Sequence, residues 1–188
     1  MLILASSSPR RRELLRNAGI DVTVKPADVP EDHCPGESPR EFAERLALAK
    51  AQAVAKDHPH DFVLGADTIV VVDDEIFGKP RDAADAARML TRLSGREHEV
   101  LTAVCLIAPA GKVMTESEVA KVAFGGMSAK EIAGYVANGE PMDKAGAYAA
   151  QGIASRWVYR VEGDYLTVVG LPIARVWEML KRAGYPPK

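Results

Sequence analysis

The sequence predicts an α/β fold built on a mixed sheet. Three features point there. Strand and helix signals alternate in the first half, paired strand signals dominate the middle, and neither a repeat nor a linker-like stretch interrupts them.

Residues 1–6 read as a short apolar strand. Ser8 suits a helix N-cap and Pro9 the first helical position, and the helix runs through Leu14 and Leu15 to a stop at Gly19. Val22 and Val24 alternate with polar residues, as in a half-buried strand. Residues 27–37 form an acidic loop punctuated by Pro and Gly. Ser38 and Glu41 make a capping box for a helix to about residue 56, with Phe42, Leu46, Ala49 and Ala53 on one face. The run 62–72 is continuously apolar but for a few positions and short enough for a buried strand. Asp73 and Asp74 turn the chain into a short strand ending at Gly78-Lys79-Pro80, and residues 82–93 are helical. Residues 94–98 read as a helix C-cap and loop. A hairpin follows, 99–107 with 113–124, joined by Pro109-Ala110-Gly111. Ser128 and Glu131 form a second capping box, for a helix ending at Asn138-Gly139. A Gly-rich loop spans 140–152. Residues 158–161 and 165–169 suggest a second hairpin around Glu162-Gly163-Asp164, and Pro172 opens a last helix carrying Val176, Trp177 and Leu180.

Composition narrows the function classes. With 188 residues, 47% hydrophobic and 27% charged, the chain can bury a proper core and is not of the disordered type. A net charge of −2 from 24 basic and 26 acidic residues argues against bulk capture of DNA, RNA or an anionic membrane. The apolar runs fall short of the ~20 residues of a bilayer span. The opening segment has no charged leader before its apolar stretch, the wrong order for a signal peptide. Cys34 and Cys105 fit no CxxC pattern and read as reduced thiols of a cytosolic protein. His33, His58, His60 and His98 lack zinc spacing with either, so no zinc site is expected.

Four segments could carry chemistry. Ser6-Ser7-Ser8-Pro9-Arg10-Arg11-Arg12 joins a strand to a helix N-terminus, where free N–H groups favour an anion. Arginines oppose the dipole at that end, so three in a row suggest a phosphate among them; the alternative is a serine cap with solvated arginines. Asp67 stands inside the apolar strand, where a carboxylate is costly unless it is paired, hydrogen-bonded or metal-bound. Nearby Gly65 marks a bulge or a close approach. Lys79, between Gly78 and Pro80, could be aimed at phosphate or lie in an ordinary turn. The loop 140–152 mixes charges with small residues and is long for a plain connection. Among lesser candidates, Glu31, Asp32 or Glu37 could meet Asp67 around Mg²⁺, and Lys50 lies near the edge of its helix's apolar face, with outward snorkelling the default.

These segments together resemble the Maf family of nucleoside triphosphate pyrophosphatases. The resemblance rests on Leu4-Ala5-Ser6-Ser7-Ser8-Pro9-Arg10-Arg11-Arg12-Glu13-Leu14-Leu15, Gly65-Ala66-Asp67-Thr68-Ile69-Val70, Gly78-Lys79-Pro80, Glu140-Pro141-Met142-Asp143-Lys144-Ala145-Gly146-Ala147-Tyr148, Gln151-Gly152 and Val169-Gly170-Leu171-Pro172, in family order along nearly the whole chain. It implies an inosine-triphosphatase-like fold: an elongated twisted mixed β-sheet flanked by helices, forming one domain over 1–188 with two lobes around a central cleft. It further implies a divalent metal cation (Mg²⁺ or Mn²⁺), a cytoplasmic location and a homodimer. By the same resemblance Asp67 is the proton acceptor, and Arg10, Thr68 and Gln151 help select substrate. Glu31, Lys50 and Lys79 are the acidic and basic partners. Thr68 after Asp67 is similar to the dTTP/UTP pyrophosphatase branch. Ala103, Ala150 and Thr167 depart mildly from the common pattern, and none removes a charge.

The reaction so implied is hydrolysis of dTTP and UTP, with CTP or modified pyrimidine nucleotides as further substrates, to the monophosphate and pyrophosphate: a house-cleaning of the nucleotide pool. Ser6, Ser8, Arg10 and Arg11 would hold the phosphate chain, Lys50 and Lys79 would neutralise charge, and Asp67 and Glu31 would hold the metal. Thr68 and Gln151 would read the pyrimidine edge. The alternative is a nucleotide-binding regulator of cell division or septum formation with slow or incidental hydrolysis.

Overall fold

The structure, a computed structural model, describes residues 1–186. Its elements in chain order are β1 (Leu2–Leu4), α1 (Pro9–Asn17), β2 (Thr23–Val24), α2 (Pro39–Ala55), β3 (Phe62–Val72), β4 (Glu75–Phe77), α3 (Ala83–Leu93), β5 (Glu97–Ile107), β6 (Val113–Phe124), α4 (Ala129–Ala137), β7 (Val158–Glu162), α5 (Tyr165–Val169) and α6 (Ile173–Arg182). Short 3₁₀ turns occupy Glu140–Asp143, Ala145–Ala147 and Ile153–Arg156 in the loop between α4 and β7. The strands form one sheet in the order β2-β1-β3-β5-β6-β7, with β4 beside β3. β1 runs parallel to both β2 and β3, whereas β4 is antiparallel to β3 and β7 to β6. The sheet is therefore mixed, and the fold is the α/β class the sequence predicts.

Local chemistry explains most boundaries. Ser38 Oγ accepts from Glu41 N at 3.3 Å while Glu41 Oε2 accepts from Ser38 N at 2.8 Å. Ser128 and Glu131 repeat the arrangement at 3.3 and 2.7 Å. Each reciprocal cap satisfies donors a helix start leaves open, and an N-cap is worth about 1 kcal/mol. Ser8 caps α1, with Pro9 in its first turn.

Three expectations need correction. Residues 165–169 are not a strand but the helix α5, because Asp164 caps it: Oδ1 accepts from Leu166 N at 3.0 Å, and Oδ2 accepts from the Thr167 hydroxyl at 3.2 Å. β7 pairs instead with β6, Val122 opposite Val161. β5 begins at Glu97, so the stretch expected as loop already carries ladder residues. The buried face of α2 comprises Phe42, Ala43, Leu46, Ala47, Lys50, Ala51 and Val54, while Ala49 and Ala53 are only half-buried. That one-position rotation brings Lys50 inward.

The chain divides into two compact units. The first takes Met1–Asp67, Thr102–Glu118 and the residues from Gly170 on; the second takes Thr68–Leu101 and Val119–Val169. In the first, Leu2, Leu4 and Leu64 of the sheet pack with Leu15 of α1 and with Val176, Met179 and Leu180 of α6. In the second, Val70, Val72 and Phe77 join Met89, Leu90 and Leu93 of α3, Ile132 and Tyr135 of α4, and Trp157. Among the described residues no helix is long and apolar enough to cross a membrane. Cys34 is exposed, Cys105 is buried, and both are free thiols.

His98 is buried in the second unit with its Nε2 2.7 Å from the Tyr148 hydroxyl. Burial pushes its pKa down from 6.5 to about 4. The folded state thus takes up the proton later than the unfolded chain as pH falls. The stability this residue protects is present above about pH 6.5 and is lost between there and pH 4. At about 1.4 kcal/mol per pH unit, the loss amounts to about 3 kcal/mol. Urea unfolding of wild type and His98→Gln from pH 7 to 4 should show the wild type losing that much more stability than the variant. Parallel pH profiles would exclude the assignment.

Candidate active site

The site in the first unit begins with a missing side chain. A Cβ at Gly65 would stand 2.2 Å from the Ala47 carbonyl oxygen and 2.7 Å from the Ala51 nitrogen. The close approach read from the sequence is therefore made by the α2 backbone, which rests directly on β3. Lys50 lies in the turn of α2 pressed against the strand, and Asp67 follows Gly65 by two positions on the same strand face.

Lys50 Nζ donates to Asp67 Oδ1 at 2.6 Å, with both residues buried. Snorkelling outward, the default for a lysine at a helix edge, is excluded by this contact. Glu31 Oε1 meets the same ammonium, also at 2.6 Å. Burial pushes the Asp67 carboxyl above the usual carboxylate range, Lys50 and Arg11 oppose that rise by their charge, and Glu31 adds to it. A carboxylate with raised proton affinity is suited to accept a proton near neutral pH.

The acidic loop is sorted by Arg45, a residue the sequence reading passed over. Its Nε donates to Glu37 Oε1 at 2.6 Å and its Nη2 to Glu37 Oε2 at 2.8 Å and to the Asp32 carbonyl at 2.9 Å. The Arg45 hydrogen bond holds the Glu37 carboxyl down at about 2. The loop is thereby tied to α2, and of the three acidic candidates Glu31 is the one that reaches Lys50. The signal available in the sequence was a basic residue on the first half of a helix that follows an acidic loop.

The serine–arginine segment is partly committed to the protein itself. Ser6 is buried, and its Oγ accepts from Ser8 N at 3.2 Å and from Arg11 Nη1 at 3.1 Å. Ser8 Oγ accepts from Arg11 N at a long 3.5 Å. Arg11, expected among the phosphate ligands, donates from Nη1 to the Ala66 carbonyl at 2.9 Å and from Nε to the Gly170 carbonyl at 2.9 Å. Arg10 is half-buried beside it. The first unit thus brings together Ser6, Arg11, Glu31, Lys50 and Asp67.

Thr68, Lys79 and Gln151 belong to the second unit. Thr68 is half-buried on β3, and Lys79 and Gln151 are exposed. Lys79 sits between buried Pro80 and Gly78, whose carbonyl accepts from Gly146 N at 3.1 Å. Glu140 organises the loop carrying Gln151: its Oε1 accepts from the Tyr135 hydroxyl at 2.7 Å and from Ile153 N at 3.1 Å. A Cβ at Gly152 would fall 2.5 Å from that carboxylate, so the position beside Gln151 admits glycine alone without rearrangement. Glu140 opens the loop singled out in the sequence, but Tyr135 did not stand out, because nothing there shows that the two side chains meet.

The fold defines the class first. A nucleoside-triphosphatase/dITP/XTP pyrophosphatase from Mycobacterium abscessus superposes with a TM-score of 0.53 at 18% identity, covering 96% of each chain. The Staphylococcus aureus Ham1 protein does so with a TM-score of 0.54 at 16% identity, covering 96% of this chain and 98% of that one. Those likenesses establish the shared α/β architecture. The family follows from sequence: the model of Maf-like proteins matches residues 1–183, and the chain belongs to the Maf family. Relatives named dTTP/UTP pyrophosphatase include one from Koribacter versatilis, 58% identical over 97% of this chain and 94% of its own length. Another, from Symbiobacterium thermophilum, is 52% identical over 98% and 95%. A third, from Geobacter sulfurreducens, is 50% identical over 97% and 96%.

Gly65→Ala should cost about 1–3 kcal/mol or more, because the clash is with backbone atoms that cannot rotate away. It should also lift α2 from β3, separate Lys50 from Asp67 and lower turnover beyond what the stability loss explains. Chemical denaturation together with kinetics on the folded fraction measures both. A variant as stable as wild type would mean that α2 does not depend on this contact.

Proposed function

We propose that this protein is a nucleoside triphosphate pyrophosphatase that hydrolyses dTTP and UTP to the monophosphate and pyrophosphate, and so clears the nucleotide pool. Membership of the Maf family and the names of its full-length relatives support the reaction class and the pyrimidine substrates. The observation that carries the chemistry is the buried Asp67 carboxylate, raised in proton affinity and held against Lys50.

Water attacks the α-phosphorus, the bond to the bridging oxygen of the β-phosphate breaks, and pyrophosphate leaves with that electron pair. Asp67 accepts the proton of the attacking water. Lys50, Lys79 and Arg10 offset the negative charge of the phosphate chain, with Ser8 at the helix start that faces an anion. Thr68 and Gln151 hydrogen-bond the pyrimidine edge, where an unmatched base leaves polar groups unpaired.

The residues present suit a divalent cation of a particular kind. No group of three His, Cys, Asp or Glu among the described residues is placed to hold a metal. Glu31 and Asp67 nevertheless converge on one positively charged atom, at 2.6 Å each. Mg²⁺ is commonly held in this way, by one or two carboxylates with the remaining positions filled by substrate phosphates and water. Glu31 and Asp67 would hold Mg²⁺ or Mn²⁺, which when bound draws charge from the phosphate oxygens. A cytoplasmic location and a homodimer belong to the same reading and are supported by family membership alone.

Pyrophosphate release measured over a panel of dTTP, UTP, CTP, their modified forms and purine triphosphates, with Mg²⁺ or Mn²⁺, should show turnover of dTTP and UTP above purines. Asp67→Asn should lower kcat by at least about 10²–10⁴-fold. Circular dichroism should show the variant still folded with some loss of thermal stability, since the amide oxygen can accept from Lys50 and Glu31 keeps that buried ammonium paired. Asp67→Asn with wild-type turnover would remove the proposed base.

A further inference from the structure

We infer that Arg11 is a positioning residue for this reaction, whose guanidinium locks the peptide that carries Asp67 instead of binding phosphate. The inference rests on Asp67 being the proton acceptor. Arg11 sits in the first turn of α1, where a cation opposes the helix dipole, so its own helix does not account for it. Its contacts do. Nη1 donates to the Ala66 carbonyl at 2.9 Å and to Ser6 Oγ at 3.1 Å, and Nε donates to the Gly170 carbonyl at 2.9 Å.

Those acceptors come from three separate stretches of the first unit: the segment after β1, the middle of β3 and the turn before α6. The Ala66 carbonyl belongs to the peptide group joined to the Asp67 nitrogen. Holding that oxygen fixes the peptide plane from which the Asp67 side chain projects. Ser6 Oγ also accepts from Ser8 N, so the same fork fixes the serine turn at the start of α1. A planar guanidinium can serve acceptors in several directions at once, whereas a lysine ammonium is a point charge on a flexible stem. The Ala66 and Gly170 carbonyls and the Ser6 hydroxyl together take the Nε proton and both Nη1 contacts of Arg11, three of its five N–H groups. The charge of Arg11 also faces Asp67 and Glu31 and balances, with Lys50, the two carboxylates of the cluster.

Steady-state kinetics on dTTP and calorimetric binding of an α,β-methylene dTTP analogue, both with Mg²⁺, separate positioning from phosphate binding. Arg11→Lys and Arg11→Gln should each lower kcat by about 10²-fold, the scale of a small misplacement of reacting groups. Both should leave KM and the Kd of the analogue near wild type. A direct phosphate ligand would give the opposite split: Arg11→Gln would raise Kd about tenfold or more, and Arg11→Lys would restore both binding and kcat. That result overturns the inference. Should Arg11→Gln fail to fold by circular dichroism, Arg11→Lys, which keeps charge and length, decides alone. Asp67→Asn measured alongside keeps the two ideas apart. If it turns over normally, the base assignment has failed whatever Arg11 does; if it is inactive while both Arg11 variants match wild type, only the Arg11 inference has failed.

Discussion

The first unit is organised around a lysine and an aspartate buried together between a helix and a strand. Each would be costly alone in that place, since a lone buried charge loses its hydration without recompense. The pair exists because α2 can lie on the β3 backbone at Gly65, which sets the depth at which Lys50 enters. From that contact the rest follows. Glu31 must close on the ammonium from the loop before α2, so the loop must be fastened, and Arg45 fastens it through Glu37 and the Asp32 carbonyl. Arg11 supplies a second positive charge near Asp67 while holding the preceding peptide carbonyl, so α1 begins with a cation at the end where its dipole disfavours one.

Such a cluster is a poor device for stability. A buried ion pair seldom outweighs well-packed apolar side chains of the same volume. The upward push of burial on Asp67, which Lys50 and Arg11 oppose, is the signature of that expense. The stability of the unit comes instead from the aliphatic layer around it, where Leu2, Leu4, Leu15, Leu64, Leu106 and Leu171 are fully buried. The division of labour is local: apolar residues of β1, β3, α1 and α6 hold the frame, and a handful of charged groups use it.

How much of this was legible depended on whether the information was local. Both capping boxes, the Ser8 cap, the Pro109–Gly111 connection and the apolar run of β3 are written in residues a few positions apart, and each formed as read. α5 was misread because Tyr165–Val169 is rich in β-branched residues, a strand preference that a single capping aspartate overrode. The face of α2 was misread by one position because alanine lines both its inner and outer sides, so periodicity alone does not say whether Lys50 or its neighbours point inward. Asp67 was visible for the opposite reason: a carboxylate among aliphatic residues has no bland local partner. Glu31 could be told from Asp32 and Glu37 only by resemblance, because what separates them is which side chain of α2 each meets, Lys50 for Glu31 and Arg45 for Glu37.

The arginines at the start of α1 show how a correct suspicion can attach to an incomplete cause. Their placement against the dipole signals that an acceptor lies near. It does not say whether that acceptor is a ligand or the protein's own backbone. For Arg11 the structure answers with two carbonyls and a hydroxyl, and one of those carbonyls adjoins the residue whose chemistry matters most. Neighbouring arginines in one motif can therefore divide the work: Arg11 turns to the backbone of its own unit, whereas Arg10 is the one proposed to meet the substrate's charge. A motif of repeated residues is selected as a unit, but the helix geometry points successive side chains about 100° apart, so identical neighbours meet different partners.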